Sequence, residues 1–229
     1  GYAADTCASH KAVIGATIKG LMPVPDFLIG TTAPCAGGVA VMENLARTFN
    51  KDLFVLHIPQ NDSPENVAFL AEQMKDMMRF VSDHTGIPVD KRVLRETIIK
   101  ANKASALLAE VFRMAREIPT PMVSEELKNF GISMPILLGT DEAVIIAQRY
   151  RDVMARRIRE KTGGVAGEKV RLLWIQNRIQ FNTSLHKMLE KDYQTVVVSD
   201  ELNDVWWEEI DPDDPYEGVA RRIINIPYN

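Results

Sequence analysis

Along this chain, short solid apolar runs alternate with longer stretches in which apolar residues recur every three or four positions. The first pattern marks buried strands and the second marks amphipathic helices. ASHKAVIGATIKGLM (8–22) predicts a short helix closed by Gly20 and Pro23. DFLIGTT (26–32) predicts a strand, APCAGG a turn, VAVMENLARTFN (39–50) a helix, and DLFVLHIP (52–59) a second strand. Strand, helix and strand in about thirty residues make a βαβ unit, so this sheet is expected to be parallel.

Long helical patterns follow. SPENVAFLAEQMKDMMRFVSDHTG has Ser63 as its N-cap, Pro64 at the first helical position and Gly86 as its stop. Met74, Met77 and Met78 read as core residues of that helix. A second helix is expected over IPVDKRVLRETIIKANKASALLAEVFRMAREI, capped by Asp90, until IPTPM (118–122) breaks the pattern. Weaker helical segments lead to LGTDEAVIIAQRYRDVMARRIREKT (138–162), capped by Thr140. TGGVAGEK (162–169) reads as a flexible linker. Beyond it, VRLLWIQ (170–176) and TVVVSDE (195–201) predict strands, while FNTSLHKMLEK (181–191) and DPYEGVARRIINI (214–226) predict helices. The expectation is an α/β protein with a first domain over 1–165 and the beginning of a second, truncated one over 166–229, because two strands alone make a marginal sheet.

Composition narrows the function without naming it. The 229 residues are 46% hydrophobic and 25% charged, with a net charge of -4. No basic face suggests nucleic acid, no apolar run is long enough for a membrane span, and no secretory leader is evident, so a cytoplasmic location is expected. Two cysteines do not make a disulfide scaffold. Their placement carries more. Cys35 stands where a strand hands over to a helix, and Cys7 directly precedes the helix from Ala8. A helix N-terminus offers unpaired N–H groups and partial positive charge, which favour a thiolate. Gly37 and Gly38 allow close backbone approach at Cys35. On spacing alone the two cysteines remain either core residues or functional thiols, and two are too few for a four-cysteine iron–sulfur site.

Other polar residues have two readings each. Ser9 and His10 follow Cys7, and Thr31 and Thr32 precede the Cys35 turn; each can address a sulfur or substrate, or simply cap its own turn. His57 ends a strand at the presumed ligand edge. His84 and His186 read as ordinary helical residues whose spacing fits no zinc motif, and Trp174 reads as core. Trp206 and Trp207 fit a loop that anchors the domains by aromatic burial, or an adenine or acyl pocket. The arginines of RYRDVMARRIREK (149–161) suit either phosphate groups or a solvated helix face. There is neither a G-K-[ST] phosphate loop nor GxGxxG after a strand, and so no argument for nucleotide hydrolysis.

GYAADTCASHKAVIGA and MPVPDFLIGTTAPC resemble the two first cysteine segments of the 2-hydroxyacyl-CoA dehydratase and benzoyl-CoA reductase subunit family. VRLLWIQNRIQFNTSLHKMLEKDYQTVVVSDE and DPDDPYEGVARRIINIP are similar to the start of that family's second domain. The resemblance implies two Rossmann-like domains, the second incomplete here, around a [4Fe-4S] cluster held by three cysteines. Cys7 and Cys35 match the first two ligands; this chain has no third cysteine. Ser9, His10, Thr31, Thr32, Gly37, Gly38 and His57 become candidates for the surroundings of cluster and substrate. The implied reaction is single-electron-driven dehydration of an acyl-CoA thioester, with a related subunit as partner and an ATP-dependent iron–sulfur activator as electron source. A benzoyl-CoA reductase-like or double-cubane reductase activity is the alternative. The chain is expected to be the central piece of a longer subunit, inactive alone. Two rivals remain open: a non-catalytic electron-transfer or scaffold domain of a larger activator polypeptide, and a cofactor-free binding domain with core cysteines.

Overall fold

The structure, a computed structural model, describes residues 6–33, 35–175, 184–200 and 208–225. Its elements are α1 (Ala8–Ile18), β1 (Leu28–Thr31), α2 (Ala36–Phe49), β2 (Leu53–Leu56), α3 (Pro64–Thr85), α4 (Lys91–Met114), α5 (Ser124–Leu137), α6 (Asp141–Arg159), β3 (Val170–Trp174), α7 (Leu185–Tyr193), β4 (Thr195–Asp200) and α8 (Pro215–Ile224). This is the expected mixed α/β architecture. The elements gather into two compact units, one of residues 1–90 with 216–229 and the other of residues 91–215.

In the first unit β1 and β2 run parallel, Leu28 opposite Leu53 and Thr31 opposite Leu56. Side-chain alternation along the strands sorts the core. Leu28 and Leu53 face Val41 and Leu45 of α2, with Val13 and Ile14 of α1 packed against the same cluster. Phe54 and Leu56 face the opposite way, toward Val67, Leu70 and Met74 of α3 and Ala220 and Ile224 of α8. Gly30 lies against Met42: a Cβ there would stand 3.2 Å from its Cγ, so glycine lets α2 settle close to the strand. Helix α3 starts and stops as its sequence predicts. Ser63 Oγ accepts from the Asn66 N–H, Pro64 is the first helical residue, and Gly86 adopts the left-handed conformation at the end. Met74 is buried, and Met77 packs beside it.

In the second unit α4, α5 and α6 enclose a core of Leu108, Val111, Phe112, Phe130, Met134 and Met154. Thr140 caps α6 by accepting from the Ala143 N–H at 3.1 Å. Strands β3 and β4 are parallel, with a register slip between Leu172 and Leu173. Ser124 Oγ, at the start of α5, accepts from the Val197 N–H of β4 at 3.0 Å.

Two expectations need correction. The stretch 162–169 is no flexible linker. The Gly164 N–H donates to Thr120 O at 2.7 Å, and the glycine lies directly on the backbone of Met122 and Val123. Glu168 accepts from the Thr120 N–H at 2.6 Å and pairs with Arg171. Small residues there permit close packing rather than freedom. Consequently helices α4 to α6, expected with the first unit, group with β3 and β4. Helix α8, expected in the second domain, closes the α3 face of the first sheet. The expected extensions of β3 to Gln176, of β4 to Glu201 and of α7 back to Phe181, together with Trp206 and Trp207, lie outside the described residues.

Candidate functional site

The carboxyl end of the β1–β2 pair collects most of the candidate residues, where ligands of open parallel sheets bind. Thr31 and Leu56 close the paired strands. The Thr32 N–H donates to Leu56 O at 3.0 Å, and Thr32 Oγ1 accepts from the Ile58 N–H at 2.8 Å. Thr31 Oγ1 donates to Ala33 O. Both hydroxyls thus hold the turn that leads to Cys35. The His57 backbone is clamped to α3 in both directions, its N–H donating to Gln73 Oε1 at 2.9 Å and its carbonyl accepting from Gln73 Nε2 at 3.0 Å. The His57 side chain is left exposed.

Each cysteine is the N-cap residue of a helix, Cys7 of α1 and Cys35 of α2. Both thiols are free and exposed, which removes the reading of them as core residues. Cys7 Sγ closes no cap hydrogen bond of good geometry, yet it lies beside the first N–H groups of its helix. The Ser9 N–H, then the His10 N–H and the Ser9 hydroxyl, pull the Cys7 thiol below the usual thiol range; slight burial opposes them. Cys7 is therefore an accessible sulfur whose ionisation is eased by the N–H groups of its own helix.

The first turn of α1 meets the first turn of α2. A Cβ on Gly37 would stand 3.3 Å from Cys35 Sγ and 3.3 Å from His10 Cε1. Sulfur and imidazole border one small open volume that only glycine leaves clear. Gly38 is different, for a Cβ there would meet nothing within 4 Å. Packing of Val13 and Ile14 into the α2 cluster explains how His10 arrives: His10 precedes them by three and four residues and shares their helix face. The sequence held that signal, but read alone it fits a solvent-facing or capping histidine more readily.

Among the described residues no group of three or more His, Cys, Asp or Glu side chains is arranged to hold a metal ion. The donor chemistry here is two thiols, one of them eased in its ionisation, at converging helix N-termini whose dipoles suit an anionic partner. That fits two positions of a thiolate-ligated iron–sulfur group and leaves the others to be supplied from elsewhere.

The second unit has features of its own. His186 is buried on α7, with its ring 5.6 Å from that of Trp174 at the end of β3. Burial, then Lys128, lowers its pKa, while Glu190 and Glu125 oppose. Reading it as an ordinary helical residue missed this; the signal was its i, i+3 spacing with Leu189. Of the arginines of α6, Arg157 donates to Pro121 O at 2.8 Å and to Glu126 at 2.9 Å. Arg149 is exposed on a crevice of about 310 Å³ floored by Met122 and Met154. Among the described residues no helix is long and apolar enough to cross a membrane.

Comparison with known proteins follows the same lines. The family model for the 2-hydroxyglutaryl-CoA dehydratase D-component matches residues 1–229. The alpha subunit of (R)-2-hydroxyglutaryl-CoA dehydratase from Acidaminococcus fermentans is 22% identical over 145 residues, 62% of this chain and 30% of that protein. The (R)-phenyllactyl-CoA dehydratase alpha subunit of Clostridium sporogenes is 22% identical over 184 residues, 76% of this chain and 45% of that protein. The chain thus spans less than half the length of these relatives.

Proposed function

Because the chain belongs to the 2-hydroxyglutaryl-CoA dehydratase D-component family, we propose that it is part of the iron–sulfur subunit of a 2-hydroxyacyl-CoA dehydratase-type enzyme, with Cys7 and Cys35 as two ligands of a [4Fe-4S] cluster. The observation that carries the reading is the pairing of two exposed cysteines, both N-caps, at the convergence of α1 and α2 beside the carboxyl end of a parallel strand pair. When bound, such a cluster supplies one electron at low potential, here for loss of the hydroxyl group from an acyl-CoA thioester.

The chain's own residues perform the holding. The first N–H groups of α1 favour the thiolate form of Cys7, so the sulfur is ready to ligate. Thr31 and Thr32 fix the turn that presents Cys35, and Gly37 keeps the volume in front of its sulfur clear. Since the cysteine pair supplies only part of a ligand set, the remaining ligation belongs to the longer protein. The reading also calls for a related partner subunit and an ATP-dependent iron–sulfur activator. Both named relatives are dehydratase alpha subunits, which favours dehydration over ring reduction.

The test is iron and sulfide analysis with EPR on the anaerobically purified complete enzyme and on its Cys35→Ser variant. About four irons per cluster in the parent, lost in the variant, are expected. A parent that holds no iron after anaerobic reconstitution overturns the cluster and the reaction assigned to it.

A further inference from the structure

Resting on the reading of Cys35 as a cluster ligand, we infer that His10 is the positioning residue of that site: its ring N–H donates a hydrogen bond to a sulfur of the group that Cys35 holds. Gly37 is glycine to keep the path between them open.

The other polar candidates have contacts of their own. Thr31 donates its hydroxyl proton to Ala33 O, and Thr32 Oγ1 accepts from the Ile58 N–H. Ser9 is turned to Cys7. His57 has its backbone tied to Gln73 and its side chain exposed at the strand end. Beside Cys35 Sγ, the atoms nearest the volume that Gly37 leaves open are those of the His10 ring. Its Cε1 stands 3.3 Å and its Nδ1 3.7 Å from the point where a Gly37 Cβ would sit, and Cys35 Sγ stands 3.3 Å from that same point. The sulfur and the ring carbon are thus no further apart than twice that distance. Cys35 would hold the group and His10 would supply a hydrogen-bond donor beside it. Among the described residues neither ring nitrogen of His10 has a hydrogen-bond partner, so a donor is free for the task. His10 is half-buried and carried by a packed helix face, not by a mobile loop, which fixes its direction.

Hydrogen bonds to cluster sulfur raise the reduction potential by stabilising the more negative, reduced state. Loss of this one bond therefore makes the site harder to reduce without emptying it. The experiment uses the anaerobically reconstituted complete enzyme, with His10→Leu, His10→Asn, Gly37→Ala and, as a control for the integrity of α1, Gly15→Ala, where an added Cβ meets nothing within 4 Å. Iron content is measured first, then the midpoint potential by EPR-monitored redox titration. His10→Leu is expected to keep the parent's iron with a more negative midpoint. His10→Asn, which retains an N–H donor, returns part of the shift, and Gly37→Ala moves the midpoint in the same direction by pushing the ring from the sulfur. A His10→Leu midpoint equal to the parent's overturns the assignment while leaving the cluster reading intact. So does loss of iron in His10→Leu but not in Gly15→Ala, which would make His10 a ligand. An iron-free parent overturns the cluster reading and this inference with it.

Discussion

Gly164→Ala tests whether 162–169 is a built part of the second unit. A Cβ on Gly164 would stand 2.4 Å from the Met122 carbonyl carbon, 2.5 Å from its oxygen and 2.8 Å from Val123 N. These are backbone atoms, which cannot swing aside as a side-chain tip can. Ordinary contact distances begin near 3.4 Å, so the two segments must part by about 1 Å. Overpacking of this kind costs about 1–3 kcal/mol. Parting also stretches the 2.7 Å bond from the Gly164 N–H to the buried Thr120 carbonyl, worth about 1 kcal/mol. The restricted unfolded chain of the alanine variant returns up to about 1 kcal/mol. The net is a loss of about 1–4 kcal/mol, or a drop of about 0.5–2 M in urea midpoint at a slope of about 2 kcal/mol/M. Urea titration followed by tryptophan fluorescence reads it, because all three tryptophans belong to residues 91–215. Gly167→Ala serves as comparison. Its Cβ meets open space, but its φ of +65° costs an alanine about 1–2 kcal/mol. A free linker would make Gly164→Ala neutral or slightly stabilising; a midpoint within about 0.3 M of the parent's would refute the packing argument.

Two further outcomes follow from titrating groups. Alkylation of Cys7 by iodoacetamide should reach its plateau at lower pH than a free cysteine of pKa about 8.5, and Ser9→Ala should move the profile part of the way back, since it removes the hydroxyl but not the N–H; a profile coincident with free cysteine would rule out activation by the helix. The histidines of α3 and α7, His84 and His186, should titrate in opposite directions from about 6.5 in an NMR titration. His84, bonded to Phe80 O at 2.8 Å and to Asp52 at 3.0 Å, is raised, so the stability it adds is complete below its unfolded value and fades as pH rises through its folded one. His186, lowered mainly by burial, supports its unit above that value and ceases to do so as pH falls through its folded one; indistinguishable inflections would contradict both environments.

Local chemistry accounts for what was readable along the chain. Ser63, Pro64, Gly86 and Thr140 mark helix ends because capping is decided by residues within one turn. The alternation of LIGT and LFVL fixes two faces of a parallel pair because side-chain direction in a strand is period two. What could not be read depends on contacts between distant segments. Gly163 and Gly164 have the composition of a linker whether or not Pro119 lies against the first and Met122 against the second, and only the tertiary contact separates packing from freedom. DPYEGVARRIINI shows an amphipathic helix but not which apolar face it covers; it returns to Leu56, Leu70 and Met74 across most of the chain.

The candidate site divides in the same way. The cysteines were legible at helix N-termini because the signals that start a helix are local. The adjacency of His10 and Cys35 was not, since it requires α1 to pack on α2 with one particular rotation. That rotation is set by Val13 and Ile14, which bury against Leu28, Val41 and Leu45 and thereby turn the first-turn histidine inward. The dependence runs from packing to chemistry. A polar substitution at Val13 would release the rotation of α1 and uncouple His10 from Cys35 without touching either residue, whereas the Cys7 thiol, activated by N–H groups of its own helix, would keep its lowered pKa.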